Sequence, residues 1–179
     1  CVMTVDINDA WFCDRAVGKG VINTLTPPAA AAPCVYDEAP VHLGNVSGGS
    51  GSAAWGTSQD GSIVVGFGTD SGAFQRALKW TDQGAPIILV GLAAYTAAQA
   101  FGCSYDGTII VGKCTVGGVN VATVWTNGTA ASLSLLASGT ANRAQYCSSD
   151  GTIVVGGCTV AGVERAVFWT NGVITDLGL

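Results

Sequence analysis

Along the last two thirds of the chain, apolar and polar positions fall into one pattern repeated three times. Each copy opens on a polar turn, Ser58-Gln59-Asp60-Gly61, Ser104-Tyr105-Asp106-Gly107 or Ser148-Ser149-Asp150-Gly151, spaced 46 and 44 residues apart. A β-branched run ending in glycine follows: Ile63-Val64-Val65-Gly66, Ile109-Ile110-Val111-Gly112, Ile153-Val154-Val155-Gly156. Later comes Ala-x-x-Trp-Thr, carrying Trp80, Trp125 and Trp169, then a turn such as Asn127-Gly128 or Asn171-Gly172 and a short apolar stretch. Asp-Gly and Asn-Gly between β-branched runs predict hairpins, because the turn needs positive φ and the Ser and Asp side chains can bond turn amides. Each unit of about 45 residues is therefore predicted to form four short strands.

The run after each Asp-Gly is apolar at three successive residues, which predicts a strand buried on both faces. Stacked sheets meet that demand, with the repeated tryptophans filling the space between neighbours. The expected fold is all-β: a β-propeller, of four blades if the front of the chain supplies a divergent one, or an open stack of small sheets.

Residues 1–52 fit the repeat badly. Val2 to Ile7 reads as a strand, Thr26-Pro27-Pro28 through Ala32-Pro33 as a stiff extended segment, and Ser47 to Ser52 as a Gly/Ser linker. This front is expected to be a capping or ring-closing strand on a tether, or an arm reaching a neighbouring subunit. The repeats are placed at about 53–97, 98–141 and 142–179.

The consensus Ser-x-Asp-Gly-x-(Val/Ile)-(Val/Ile)-Val-Gly, then Ala-x-x-Trp-Thr-x-x-Gly, closing on Asp176-Leu177-Gly178-Leu179, resembles the HAF-type extracellular repeat over residues 53–179. The resemblance implies propeller-like repeats in a secreted or surface-exposed protein, with no assigned catalytic residues. The cysteines are not part of that pattern.

Composition adds to this. Only 11% of residues are charged while 49% are apolar, so Thr, Ser, Asn and Gly must carry the surface, or neighbouring subunits must cover it. The net charge of −5 and the scattered Lys and Arg argue against nucleic acid as a partner. The most apolar stretch, Pro86 to Phe101, is broken by Gly91, Thr96 and Gln99, so no membrane span is expected.

Seven cysteines suggest an oxidising compartment, outside the cell or on a cell or virion surface. Cys103 and Cys147 each precede the repeat Ser, and Cys114 and Cys158 lie eleven residues further on, where the first copy has Thr57 and Gly68. The candidates are Cys103 with Cys114 and Cys147 with Cys158, bonds between units, or free thiols. A plain hairpin would hold each pair about 20 Å apart, beyond the roughly 7 Å between Cα atoms that a disulfide spans. Cys13 with Cys34 is the candidate bond at the front, leaving Cys1.

Other chemistry is sparse. With no Cys-x-x-Cys and His42 as the single histidine, zinc is not expected. Asp60, Asp106 and Asp150 read as turn caps in preference to calcium ligands. Arg76, Arg143 and Arg165 need not converge into a sialidase-like cluster. No nucleophile elbow or phosphate loop is present. The expectation is a non-enzymatic, cofactor-free protein whose partner is itself or other coat proteins. The alternative is a glycan-binding adhesin using Trp55, Phe101 and Tyr105 as aromatic platforms.

Overall fold

The computed structural model describes residues 2–5, 11–14, 42–81 and 84–178. The chain divides into two compact units, Cys1–Ala39 and Pro40–Leu179. In the first, β1 (Val2–Val5) pairs antiparallel with β2 (Trp11–Asp14), which carries Cys13. The strand predicted from Val2 to Ile7 is thus described from Val2 to Val5, while Cys34 and the Pro/Ala-rich segment lie outside the described residues.

The second unit contains three four-stranded antiparallel meanders in succession. Blade 1 is β3 (Gly51–Thr57), β4 (Ile63–Thr69), β5 (Gln75–Thr81) and β6 (Ile87–Ile88). Blade 2 is β7 (Tyr95–Cys103), β8 (Ile109–Val116), β9 (Val119–Thr126) and β10 (Thr129–Ser132). Blade 3 is β11 (Gly139–Cys147), β12 (Ile153–Val160), β13 (Val163–Thr170) and β14 (Val173–Asp176). The blades begin at Gly51, Tyr95 and Gly139, a few residues ahead of the boundaries that the motifs suggest. Gly51 and Ser52 already pair with Thr69 and Gly68, so the end of the Gly/Ser run is strand.

The turns form as their chemistry dictates. Asn127-Gly128 and Asn171-Gly172 have φ of 50° and 84°, and of 50° and 79°, the left-handed pair that a two-residue hairpin needs. In each Ser-x-Asp-Gly turn the Ser hydroxyl does two jobs. Ser104 Oγ donates to Asp106 Oδ1 at 2.7 Å and accepts the Ile109 amide at 3.0 Å. The same pair of bonds forms at Ser58, with Asp60 and Ile63, and at Ser148, with Asp150 and Ile153.

Asp106 Oδ1 also accepts the Thr108 amide and hydroxyl. The Thr108 amide foremost, with the Ser104 and Thr108 hydroxyls, holds its carboxyl down at about 2, and the Asp60 and Asp150 carboxyls are lowered chiefly by the Ser58 and Ser148 hydroxyls, with the following amide behind them. A carboxyl whose folded pKa is depressed stabilises the fold while ionised. That contribution is complete above the unfolded carboxylate range and is lost as pH falls through the folded value. The melting temperature is therefore expected to fall between about pH 4 and pH 2, and Asp106→Asn is expected to lower it at pH 7 and flatten that acid slope. Thermal melts across this range check both.

Two cores join the blades. Val65, Ala77 and Leu89 of blade 1 pack with Ala98, Ala100, Ile110, Cys114 and Trp125 of blade 2. One repeat later, Val111, Ala122 and Leu133 pack with Ala144, Val154, Cys158, Val167 and Trp169. The doubly buried strand is realised in blade 2, where Ile110 faces the first core and its neighbour Val111 the second. In blade 3 the two neighbours differ, Val154 at 5% exposed and Val155 at 40%, and among the described residues no further four-stranded sheet follows blade 3 in the chain.

A β-bulge in the first strand of each blade explains the glycine ending each β-branched run. The register shifts between Ala54 and Gly56, Ala100 and Gly102, and Ala144 and Tyr146. A Cβ at Gly66, Gly112 or Gly156 would overlap the carbonyl of Ala53, Gln99 or Arg143 across the ladder.

Candidate functional site

Between blades, one contact recurs. The indole of Trp125 donates to the Val90 carbonyl at 2.8 Å, and that of Trp169 to the Ser134 carbonyl at 2.8 Å. Both acceptors lie just past the last strand of the preceding blade. Trp80 is also buried, yet no described four-stranded sheet precedes blade 1; its indole donates to the Gly44 carbonyl at 3.4 Å. Leu43-Gly44 thus occupies for blade 1 the place that Leu89-Val90 and Leu133-Ser134 occupy for blades 2 and 3. The sequence carries a signal for this: Ala39-Pro40-Val41-His42-Leu43 stands 46 residues ahead of Ala85-Pro86-Ile87-Ile88-Leu89.

Among the described residues of the unit Pro40–Leu179, the trailing face of blade 3 has no such cover. The positions that blades 1 and 2 bury against the next blade are occupied here by Ile153, Val155, Ala166, Phe168 and Leu177, with Leu177 62% exposed. Beside them stands Tyr146, also 62% exposed, where the earlier blades have Gly56 and Gly102. Those glycines admit the next blade's backbone: a Cβ at Gly56 would lie 2.8 Å from the Phe101 carbonyl oxygen, and one at Gly102 3.1 Å from that of Gln145. Tyr146 bars an equally close fourth sheet.

The cysteines sit in this architecture as follows. The β7–β8 register sets Cys103 opposite Ile110 and Cys114 opposite Ala98, at opposite ends of the hairpin, and Cys147 and Cys158 repeat that arrangement. All four are free thiols. Cys114 and Cys158 are fully buried fillers of the two inter-blade cores. Their absence from the first copy has a packing cause: a Cβ at Gly68 would lie 2.7 Å from Leu78 Cδ1, so Leu78 fills in blade 1 the volume that the thiol fills later. Burial raises the Cys103 thiol, and burial with the neighbouring Cys103 and Asp150 pushes Cys147 up to about 11. Both stay protonated at neutral pH, which makes them poor nucleophiles and metal ligands.

The carboxylates and cations have local duties. Asp60, Asp106 and Asp150 are each engaged by their own turn, and among the described residues no group of His, Cys, Asp and Glu could hold a metal ion. Arg76 pairs with Asp70 at 2.7 Å, Arg143 with Glu164, and Arg165 with Asp176 at 2.7 Å, three separate ion pairs. Among the described residues, no helix is long and apolar enough to cross a membrane.

Of the expected aromatic platforms, Trp55 and Phe101 come together with ring centres 5.5 Å apart. They line a groove of about 360 Å³ with Gln99, Lys113, Asn120, Arg143, Gln145 and Tyr146, where the first strands of the three blades converge. Tyr105 lies elsewhere, in the blade 2 turn, where its amide donates to Ser149 and its carbonyl accepts from Gln59.

Neither a family model nor a curated protein sequence matches the chain. Solved structures do. TolB from Acinetobacter baumannii is similar at 16% identity with a TM-score of 0.54, over 70% of this chain and 32% of that one. A putative TolB from Agrobacterium tumefaciens is similar at 14% identity with a TM-score of 0.58, over 72% of this chain and 50% of that one. This likeness establishes the fold, blades of the β-propeller type, and this chain spans half or less of the length of either protein.

Proposed function

We propose that this chain is a non-enzymatic assembly module of an extracellular or virion-surface structure, and that the trailing face of blade 3 pairs with the same face of a second copy. The observation that carries this reading is the contrast between the two ends of the stack. The leading Trp80 is seated on Gly44, whereas among the described residues Tyr146, Ile153, Val155 and Leu177 are exposed at the other end. A contiguous exposed apolar patch is the mark of an association surface.

A second copy is the occupant that the residues favour. The exposed face has the composition of the two inter-blade cores that the chain already builds, so it is continuous in character with an interface repeated twice. Its six residues carry no charge, and the two charged groups beside them, Arg143 and Glu164, are paired with each other. Tyr146 in place of glycine excludes a further blade in the same close register and leaves flat face-to-face contact. The scarcity of charge and the resemblance to extracellular repeats support a surface location.

Sedimentation equilibrium tests this. The wild-type chain is expected to form a concentration-dependent dimer, and Val155→Asp to be monomeric with a melting temperature no lower than that of the wild-type monomer, since Val155 is 40% exposed. A wild-type chain that stays monomeric, or a Val155→Asp dimer of unchanged affinity, would overturn the proposal.

A further inference from the structure

The groove at the converging first strands is graded in its chemistry. Register pairs Ala53 with Phe67 in blade 1, Gln99 with Lys113 in blade 2 and Arg143 with Gly157 in blade 3. One repeat position therefore carries an aromatic ring, an ammonium and no side chain in turn, while its cross-strand partner carries methyl, amide and guanidinium. Gly157 leaves its space to Glu164, whose carboxylate would collide with any Cβ there and which reaches Arg143.

Arg143 is thus neutralised, but Lys113 is not: among the described residues it makes no ion pair. Burial and the nearby Arg143 charge both weigh against its protonated form. A half-buried ammonium beside a guanidinium, open to a cavity, is satisfied by an anion entering that cavity.

The rest of the lining specifies what carries the anion. Trp55 and Tyr146 are 56% and 62% exposed, and Trp55 is braced edge-on against Phe101. Such rings offer flat apolar faces to the C–H face of a pyranose. Gln99, Asn120 and Gln145 add three carboxamides, each able to donate and accept, which suits vicinal hydroxyls better than the bare ring of an aromatic acid. A volume of about 360 Å³ holds one or two sugar rings.

We propose that this groove binds an acidic saccharide, its ring on Trp55 and Tyr146, its carboxylate on Lys113, and its hydroxyls on the three amides. The site lies within one chain, but it shares Tyr146 with the trailing face of blade 3, so a saccharide and a second copy would compete for that ring. None of its residues belongs to the repeat consensus.

Calorimetric titration of the full chain tests it with two acidic probes, digalacturonate and sialyllactose, each against its neutral counterpart, galactobiose and lactose. At least one acidic probe is expected to bind, at least about tenfold more tightly than its counterpart. Trp55→Ala and Lys113→Met should each weaken that binding by about tenfold or more, and Lys113→Arg should restore most of it. Thermal melts matching wild type confirm that these variants fold. Preference for one acidic probe tells which acid the groove takes. No heat with either acidic probe, equal binding of the neutral sugars, or full binding by folded Lys113→Met would each overturn the proposal.

Discussion

Trp125→Ala is expected to destabilise the chain by about 3–5 kcal/mol, enough to lose cooperative folding in a domain of ordinary stability. The indole is fully buried between blades 1 and 2 and also donates to the Val90 carbonyl. Magnitudes decide which of these matters. Burying about 200 Å² of aromatic surface at about 25 cal/mol per Å² gives about 5 kcal/mol, against about 1 kcal/mol for the hydrogen bond. Trp125→Phe, which loses the N–H but keeps most of the ring, should therefore recover more than half of the loss. Urea denaturation of the three proteins measures the ordering. A folded Trp125→Ala protein within about 1 kcal/mol of wild type would mean that the inter-blade core does not hold the stack.

Gly112→Ala should be of comparable severity for a different reason. A single methyl there would overlap the Gln99 carbonyl at the β7 bulge, and backbone cannot step aside as a side chain can. The expected cost is about 3 kcal/mol or more, the upper part of the range for overpacking. Gly128→Ala makes the control. Its added Cβ would meet nothing within 4 Å, so its cost should be limited to the strain of its φ of 84°. Parallel chemical melts give the comparison, and equal losses in the two variants would remove the bulge from the explanation.

Much of this fold was legible because the inter-blade core is periodic. Val65 and Val111, Ala77 and Ala122, Leu89 and Leu133, and Trp125 and Trp169 are the same positions in successive copies, and they are the residues that pack. Motif spacing therefore found the blades, the hairpins and the buried strand. It did not find Asn142, which replaces Ala98 in the second core and is buried there. Its carboxamide accepts the Ala122 amide at 2.6 Å and donates to the Leu133 and Ser134 carbonyls, tying blade 3 to blade 2.

The groove was only half visible for the same physical reason. Trp55 and Phe101 are aromatic at one repeat position and could be picked out, but the third copy has Gln145 there, and Tyr146, Lys113 and Arg143 differ from their counterparts in every copy. A search for what recurs averages away residues whose value lies in not recurring. The cover over Trp80 was hidden in the Gly-rich front, where the echo of Ala85–Leu89 in residues 39–43 is confined to five positions.

The measurement closest to the central claim is hydrogen exchange at the individual tryptophan indoles by NMR. Blades that stack through the repeated tryptophan require slow exchange at Trp80, Trp125 and Trp169, each buried and donating to a carbonyl outside its own sheet. Trp55, 56% exposed in the groove, supplies the fast reference. Protection at the Trp125 and Trp169 indoles is expected to approach global stability, with Trp80 less protected because Gly44 accepts its bond at the longer distance of 3.4 Å. A Trp125 indole exchanging as fast as that of Trp55 would contradict that stacking.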